Sequence, residues 1–177
     1  MVSKLEKVII RITVFCVVGL FPVIPLNKAT NAHNSDIEEL FLLINERLSY
    51  MKHVALYKER TNSPTEDIER EAVVLMDAVE TANELGLFGP SVESFFKAQI
   101  SVSKAIQYRY RADWQSESPS FGSLNLQETI RPKLTQIGKY IVDKIATLYS
   151  NGERINEKHR DLFHNSIDIK NVNQQDR

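Results

Sequence analysis

Residues 37–60, IEELFLLINERLSYMKHVALYKER, carry the pattern that decides the fold. Their apolar side chains recur every three or four residues, at positions 37, 40, 41, 44, 48, 51 and 55. This spacing lines one face of an α-helix, so the stretch predicts a first amphipathic helix that ends near Arg60. The following residues, Thr61-Asn62-Ser63-Pro64, predict a break in that helix.

A second helix is predicted directly after this break. Ser63 is suited to cap it, because Pro64 would then occupy the first helical position and Glu66 would complete a capping box. The apolar pattern continues to Leu85, where Gly86 supplies a stop signal.

The rest of the chain continues in the same way. Gly89-Pro90-Ser91 predicts the start of a third helix that runs to about residue 114. A loop is expected over 116–123, a fourth helix over about 124–150 that bends or restarts at Pro132, and a short fifth helix over roughly 153–163. The polar tail from Asn165 is expected to fray. No stretch alternates like a strand, so the prediction is an all-α, single-domain bundle of about five helices.

Composition narrows the class of protein further. The chain has 177 residues, of which 42% are hydrophobic and 25% charged, enough for one domain with a proper core. The net charge is −1, and residues 33–177 hold 18 basic and 22 acidic side chains. A mildly acidic body argues against a nucleic-acid binder, which would present a basic face.

The N-terminus has the pattern of an export signal. Lys4, Lys7 and Arg11 precede an uncharged run over 12–26, which is too short and too interrupted by proline to span a membrane. Small residues at Ala29-Thr30-Asn31-Ala32 suit cleavage after residue 32. We therefore predict a signal peptide over 1–32, a mature helical domain over 33–177, no stable membrane anchor after cleavage, and a periplasmic or secreted location. The single cysteine, Cys16, falls within the predicted signal peptide.

Several polar side chains follow the apolar stripes of the predicted helices. They are Arg47 and Lys58, then Asp67, Arg70 and Glu71, then Ser103 and Gln107. Taken pair by pair, they also fit ordinary ion pairs on solvated helix faces. Arg47 is the informative residue, because it directly precedes Leu48 in the apolar stripe. A cation near a helical core needs an anionic partner.

Five short strings resemble the all-helical chorismate mutases, specifically their exported subclass. They are Glu46-Arg47-Leu48, Leu56-Tyr57-Lys58, residues 67–71 (DIERE), residues 96–114 (FKAQISVSKAIQYRYRADW) and residues 130–134 (IRPKL). The resemblance covers about residues 35–150, with the strings in the order of that family.

The resemblance implies the rearrangement of chorismate, a dianion, to prephenate, without a cofactor or metal ion. It implies that Arg47, Arg70 and Arg131 bind the substrate carboxylates and that Ser103 assists at one of them. Lys58 and Gln107 would donate hydrogen bonds to the ether oxygen, on which negative charge grows in the transition state. Asp67 and Glu71 would contact the ring hydroxyl. Arg131 would serve its own chain's site, so the site would be complete in one protomer even in a homodimer.

Two other functions remain open at this point. An isochorismate pyruvate lyase uses the same scaffold and would release salicylate and pyruvate. A non-catalytic periplasmic helical module would instead carry an exposed apolar patch and no anion pocket. For the neighbouring residues we expect Arg109 and Arg111 to lie on a solvated face, and Phe95, Phe96 and Trp114 to belong to the core.

Overall fold

The computed structural model describes residues 30–122, 124–173 and 175–176. This part of the chain forms six α-helices: α1 Thr30–Ser49, α2 Met51–Arg60, α3 Ile68–Glu84, α4 Gly89–Asp113, α5 Arg131–Ser150 and α6 Arg160–Ser166. A π-helical turn, Leu126–Ile130, precedes α5, and a 3₁₀ turn, Glu157–His159, precedes α6. No described residue belongs to a β-strand, so the predicted all-α fold is confirmed.

The predicted signal peptide falls almost wholly outside the described residues. Of residues 1–32, only 30–32 are described, and they form the first turn of α1.

The first predicted helix is present as two helices, α1 and α2, joined at Tyr50. The hydroxyl of Ser49 donates a hydrogen bond to the carbonyl oxygen of Glu46 at 2.6 Å. Because that carbonyl would otherwise accept the backbone N–H of Tyr50 alone, this competing bond favours a break at the junction. The two helices together correspond to the single helix expected over 37–60.

The predicted start of the second helix is wrong by several residues. The helix begins at Ile68, and the side chain of Asp67, rather than Ser63, caps it by accepting the backbone N–H of Arg70 at 3.1 Å. The carbonyl oxygens upstream have partners elsewhere in the fold, which keep the segment out of a helix. Lys58 donates to the carbonyl of Thr65 at 2.6 Å, and Arg111 donates to that of Ser63 at 3.1 Å.

The predicted C-terminal stop of this helix is confirmed. The helix ends at Glu84, and Gly86 has a φ of +74°, the left-handed conformation that glycine adopts without strain. Gly89 then begins α4, in a position so close to Asn83 that an added Cβ would lie 2.8 Å from its Oδ1 atom.

The fourth predicted helix restarts near Pro132, as the sequence indicates. The side chain of Asn125 caps the π-helical turn by accepting the backbone N–H groups of Gln127 and Glu128. The α-helix then begins at Arg131, with Pro132 in its first turn, where a missing N–H costs nothing. Arg131 consequently lies at the junction of two helical geometries.

The fifth helix and the tail differ from the prediction. The helix is displaced toward the C-terminus, because Asn156 caps the 3₁₀ turn by accepting the backbone N–H of Lys158. The described tail is fastened rather than frayed. Ile167 is buried, and Arg109 on α4 pairs with Asp176 and donates to the carbonyl of Asn171. Arg109 is therefore not on a freely solvated face, as the sequence suggested.

The packing of the helices leaves room for a site beside α3. Most buried apolar side chains come from α1, α2, α4 and α5, among them Phe95 and Phe96, which confirms these two as core residues. Trp114 is partly buried and stacks on Tyr110, with ring centroids 5.5 Å apart. Within α3, only two small residues, Ala78 and Ala82, are buried. Small side chains do not fill the space facing α4 and α5, so a cleft remains there.

Candidate active site

A cleft opens between α3, α4 and α5, and buried side chains of α1 and α2 complete its wall. It holds about 900 Å³ of empty space, counting its open mouth. Seven of the eight residues predicted from the sequence line this cleft: Arg47, Lys58, Asp67, Arg70, Glu71, Gln107 and Arg131. The eighth, Ser103, accepts a hydrogen bond from Nη1 of Arg47 at 3.3 Å.

Arg47 brings a buried charge to the cleft. The residue is 5% exposed, and its carbon Cζ lies 5.8 Å from the ring centroid of Phe96. No carboxylate among the described residues pairs with it, and its Nε atom has no hydrogen-bond partner there. Burial first, and then the charge of Arg70, lower the pKa of Arg47 to about 10, so the group is still charged at neutral pH. An unpaired buried cation favours the binding of an anion.

Arg70 lies near Arg47 and also has no carboxylate partner among the described residues. It extends from the first turn of α3, and its Nη2 atom donates to the hydroxyl oxygen of Thr135 on α5 at 3.0 Å. Two guanidinium groups from different helices therefore face the cleft with hydroxyl groups as their partners, Ser103 for one and Thr135 for the other.

Arg131 is held differently. Its Nη2 atom pairs with Oδ2 of Asp67 at 2.8 Å, and its Nη1 atom donates to the side-chain oxygen of Gln127 at 3.0 Å. The other carboxylate oxygen of Asp67 caps α3. Asp67 therefore links the start of α3 to the start of α5, and both of its carboxylate oxygens have partners.

Lys58 supplies a buried ammonium group. It is 7% exposed, and its Nζ atom donates to the carbonyl of Thr65 at 2.6 Å. Burial lowers the pKa of Lys58, and the negative charge of Asp67 opposes this effect while the positive charge of Arg131 adds to it. Glu71, nearby on α3, accepts a hydrogen bond from Lys104 on α4 at 3.0 Å.

Gln107 is the neutral donor of the site. Its Nε2 atom donates to the carbonyl of Ser103 at 3.1 Å and contacts the sulfur of Met51 at 3.6 Å. Its Oε1 atom is buried and has no partner among the described residues. An amide nitrogen carries two hydrogens, so a hydrogen bond to a ligand requires Gln107 to give up only the weak contact with sulfur.

The charges around the cleft are unbalanced. Six cations line it: Arg47, Lys58, Arg70, Lys104, Arg131 and Lys139. Only three carboxylates line it: Asp67, Glu71 and Asp77. The whole chain has a net charge of −1, so the positive charge is concentrated at this site. Such a cleft suits a small ligand with two negative charges and provides donors for further oxygen atoms.

Three further residues of the site, Thr135, Gln127 and Lys104, are not among the predicted ones. Thr135 and Lys104 contact residues of another helix, so their separation along the chain gives no signal. Gln127 lies four residues before Arg131, and this i,i+4 spacing is a signal that could have identified it. Arg111 was wrongly expected to be solvated. It pairs with Glu59 at 2.6 Å, and its bond to the Ser63 carbonyl helps hold the loop before α3.

Neither a metal-binding cluster nor a membrane-spanning helix occurs among the described residues. No three side chains of the His, Cys, Asp or Glu type converge in a way that suits a metal ion. None of the described helices combines the length and the apolar character needed to cross a bilayer.

Fold and cleft together define an all-helical protein with a cationic pocket for a small anion. The model of the family "chorismate mutase type II" matches residues 37–108. A secreted chorismate mutase of Yersinia pestis is 43% identical over 104 residues, which cover 59% of this chain and 56% of that protein. A monofunctional chorismate mutase of Enterobacter agglomerans is 40% identical over 103 residues, covering 58% of this chain and 57% of that protein.

A solved structure extends the similarity to most of the fold. The crystal structure of the secreted chorismate mutase from Yersinia pestis matches with a TM-score of 0.72 and 37% identity. The match covers 78% of this chain and 89% of that one. The chain belongs to the chorismate mutase type II family. It spans slightly more than half the length of the curated relatives that it matches.

Proposed function

We propose that the protein is an isomerase that rearranges chorismate to prephenate. The reaction moves bonds within one dianionic molecule and needs neither a nucleophile nor a proton transfer. A catalyst must hold the enolpyruvyl arm over the ring and stabilise the negative charge that grows on the ether oxygen. A cationic cleft with two buried donors meets both needs.

The unpaired guanidinium of Arg47 is the observation that carries this proposal. A buried charge without a counter-ion is unfavourable, and a substrate carboxylate would compensate it. Arg47 with Ser103 would bind one carboxylate, and Arg70 would bind the other. Arg131 would reach a carboxylate by exchanging its pairing with Asp67 for one with the substrate.

Lys58 and Gln107 would donate to the ether oxygen. Both are buried and line the same cleft, so that water competes little for the bonds they make. Because these donors are in place before the reaction, they stabilise the transition state without rearrangement. Asp67 and Glu71 would accept a hydrogen bond from the ring hydroxyl, with carboxylate lone pairs that their existing partners leave free.

All of these residues belong to one chain, so the proposed site needs no group from a second copy, and a homodimer would carry two independent sites. We further propose that the protein is exported to the periplasm or secreted. The N-terminal sequence pattern supports this location, as does the word "secreted" in the name of the Yersinia pestis relative.

The activity is tested with purified protein and chorismate, in chelator-containing buffer without added cofactor. We expect rapid loss of chorismate absorbance and prephenate as the product. Lys58→Ala should lower kcat at least about 100-fold, because it removes one donor from the developing negative charge. Lys97→Ala is the matched control, since Lys97 lies on the exposed face of α4, with a 59% exposed side chain.

The products decide between the remaining functions. If the protein instead forms salicylate and pyruvate from isochorismate, it is a lyase and the proposed function is wrong. No turnover of either compound by a folded, helical protein would leave the non-catalytic binding module. Equal rates for Lys58→Ala and Lys97→Ala would contradict the role given to Lys58.

A further inference from the structure

We propose that Thr135 is an additional substrate-binding residue, whose hydroxyl orients Arg70 and donates a hydrogen bond to the carboxylate that Arg70 binds. The inference rests on the proposed function, because it assigns a second partner to one carboxylate of chorismate.

The surroundings of Arg70 disfavour its positive charge, so its side chain needs such a support. It extends from the first turn of α3, where the positive end of the helix dipole disfavours a cation. It also faces the positive charge of Arg47, whose pKa it lowers. With no carboxylate partner among the described residues, its long side chain would otherwise turn toward water. The 3.0 Å hydrogen bond to Thr135 links it across the cleft to α5.

The hydroxyl of Thr135 differs from those of two comparable helical threonines. Thr81 and Thr147 donate to the carbonyl oxygen four residues earlier, at 2.8 and 3.0 Å. Among the described residues, Thr135 makes no such bond, and its oxygen instead accepts from Arg70. A hydroxyl that accepts from a guanidinium still has one proton to donate. Because Thr135 lines the cleft, a ligand bound beside Arg70 would lie where it can accept this hydrogen bond.

The arrangement repeats the one at Arg47. There, a guanidinium from α1 donates to the hydroxyl of Ser103 on α4 at 3.3 Å. Here, a guanidinium from α3 donates to the hydroxyl of Thr135 on α5 at 3.0 Å. Chorismate has two carboxylates, and the cleft holds two guanidinium–hydroxyl pairs. We infer that each pair takes one carboxylate.

The test compares Thr135→Val, which keeps the shape but removes the hydroxyl, with Thr135→Ser, which keeps it. A hydrogen bond to a substrate carboxylate is made equally in the ground state and the transition state. Loss of this bond therefore raises KM and leaves kcat nearly unchanged. We expect Thr135→Val to raise KM for chorismate about tenfold with kcat within about twofold, since one hydrogen bond to a charged group is lost. Thr135→Ser should restore KM, and Thr147→Val on the same helix should leave it unchanged.

A second measurement does not depend on turnover. Chorismate affinity is determined by calorimetry for Lys58→Ala and for Lys58→Ala/Thr135→Val, and the double variant should bind about tenfold more weakly. Circular dichroism confirms that each variant is folded, with Thr135→Ala as the replacement if valine disturbs packing. An unchanged KM in the valine or alanine variant, or no rescue by serine, overturns the inference while the proposed function stands. A wild type that binds chorismate without converting it refutes only the proposed function, and a wild type that does not bind it refutes both.

Discussion

Gln107 offers a donor that does not titrate, and this property can be tested by exchanging its amide for a carboxyl group. In Gln107→Glu the new side chain can donate a hydrogen bond only when protonated, so the rate should fall as the pH rises through its pKa. We expect the wild type to keep its rate across neutral pH and the variant to be active mainly in acid. The measurement is kcat/KM between pH 5 and 9, with exposed Gln115→Glu as the control.

Lys58 determines the alkaline side of the wild-type profile. A lysine must be protonated to support a negative oxygen, and burial lowers the pKa of Lys58 below its ordinary value of 10.5. The free enzyme should therefore lose kcat/KM on the alkaline side at a lower pH than an exposed lysine would dictate, in the wild type and Gln115→Glu alike.

A Gln107→Glu variant with a flat profile and full rate at pH 8 would contradict the role of Gln107.

At the same scale, the sequence identifies the site residues that lie within recognisable motifs. It does not identify residues that reach the site only through contacts between helices. Arg47 was recognisable because it adjoins Leu48 in an apolar stripe, and the structure buries it. Thr135 carries no comparable signal, because nothing along the chain reveals that α5 passes within hydrogen-bonding distance of Arg70. The rotation of one helix against another depends on packing throughout the bundle, which spacing within a helix does not report.

The start of α3 is the element whose position matters most for the site. Ser63 and Asp67 both have side chains suited to a cap, and local propensity does not separate them. Tertiary partners decide between the two, since Lys58 and Arg111 use the carbonyl oxygens of the loop before Asp67. The loop before Asp67, which would otherwise be the first turn of the helix, thus holds Lys58 in the cleft.

The capping role of Asp67 can be separated from its charge. Asp67→Ala should lower the free energy of unfolding by about 1 kcal/mol, because the backbone N–H of Arg70 loses its acceptor. Asp67→Asn should cost less, since asparagine caps equally well and the lost ion pair with Arg131 is partly exposed. Urea denaturation measures both. If asparagine destabilises as much as alanine, the charge rather than the cap is responsible.

Over the whole molecule, periodicity predicted the helices well and their ends less well. The break at Gly86, the long α4 and the restart near Pro132 follow from residues with strong local preferences. The tail was misjudged because its polar residues look solvated in isolation. Their partners, Arg109 for Asp176 and Asp113 for Asn171, lie more than 50 residues away along the chain.

The unpaired cation at Arg47 also implies a trade-off between stability and activity. The fold tolerates the buried charge of Arg47 and its repulsion from Arg70. Arg47→Met, an unbranched apolar side chain, should therefore raise the melting temperature by a few degrees while abolishing chorismate binding. Thermal unfolding with and without chorismate measures this, with exposed Lys97→Met as the control.

A melting temperature below that of the wild type would show instead that Arg47 stabilises the bundle by packing. If the expected increase is found, a variant that no longer binds the substrate would be more heat-resistant than the wild type. Selection for robustness alone would then remove the residue on which substrate binding depends, and only selection for turnover would keep it.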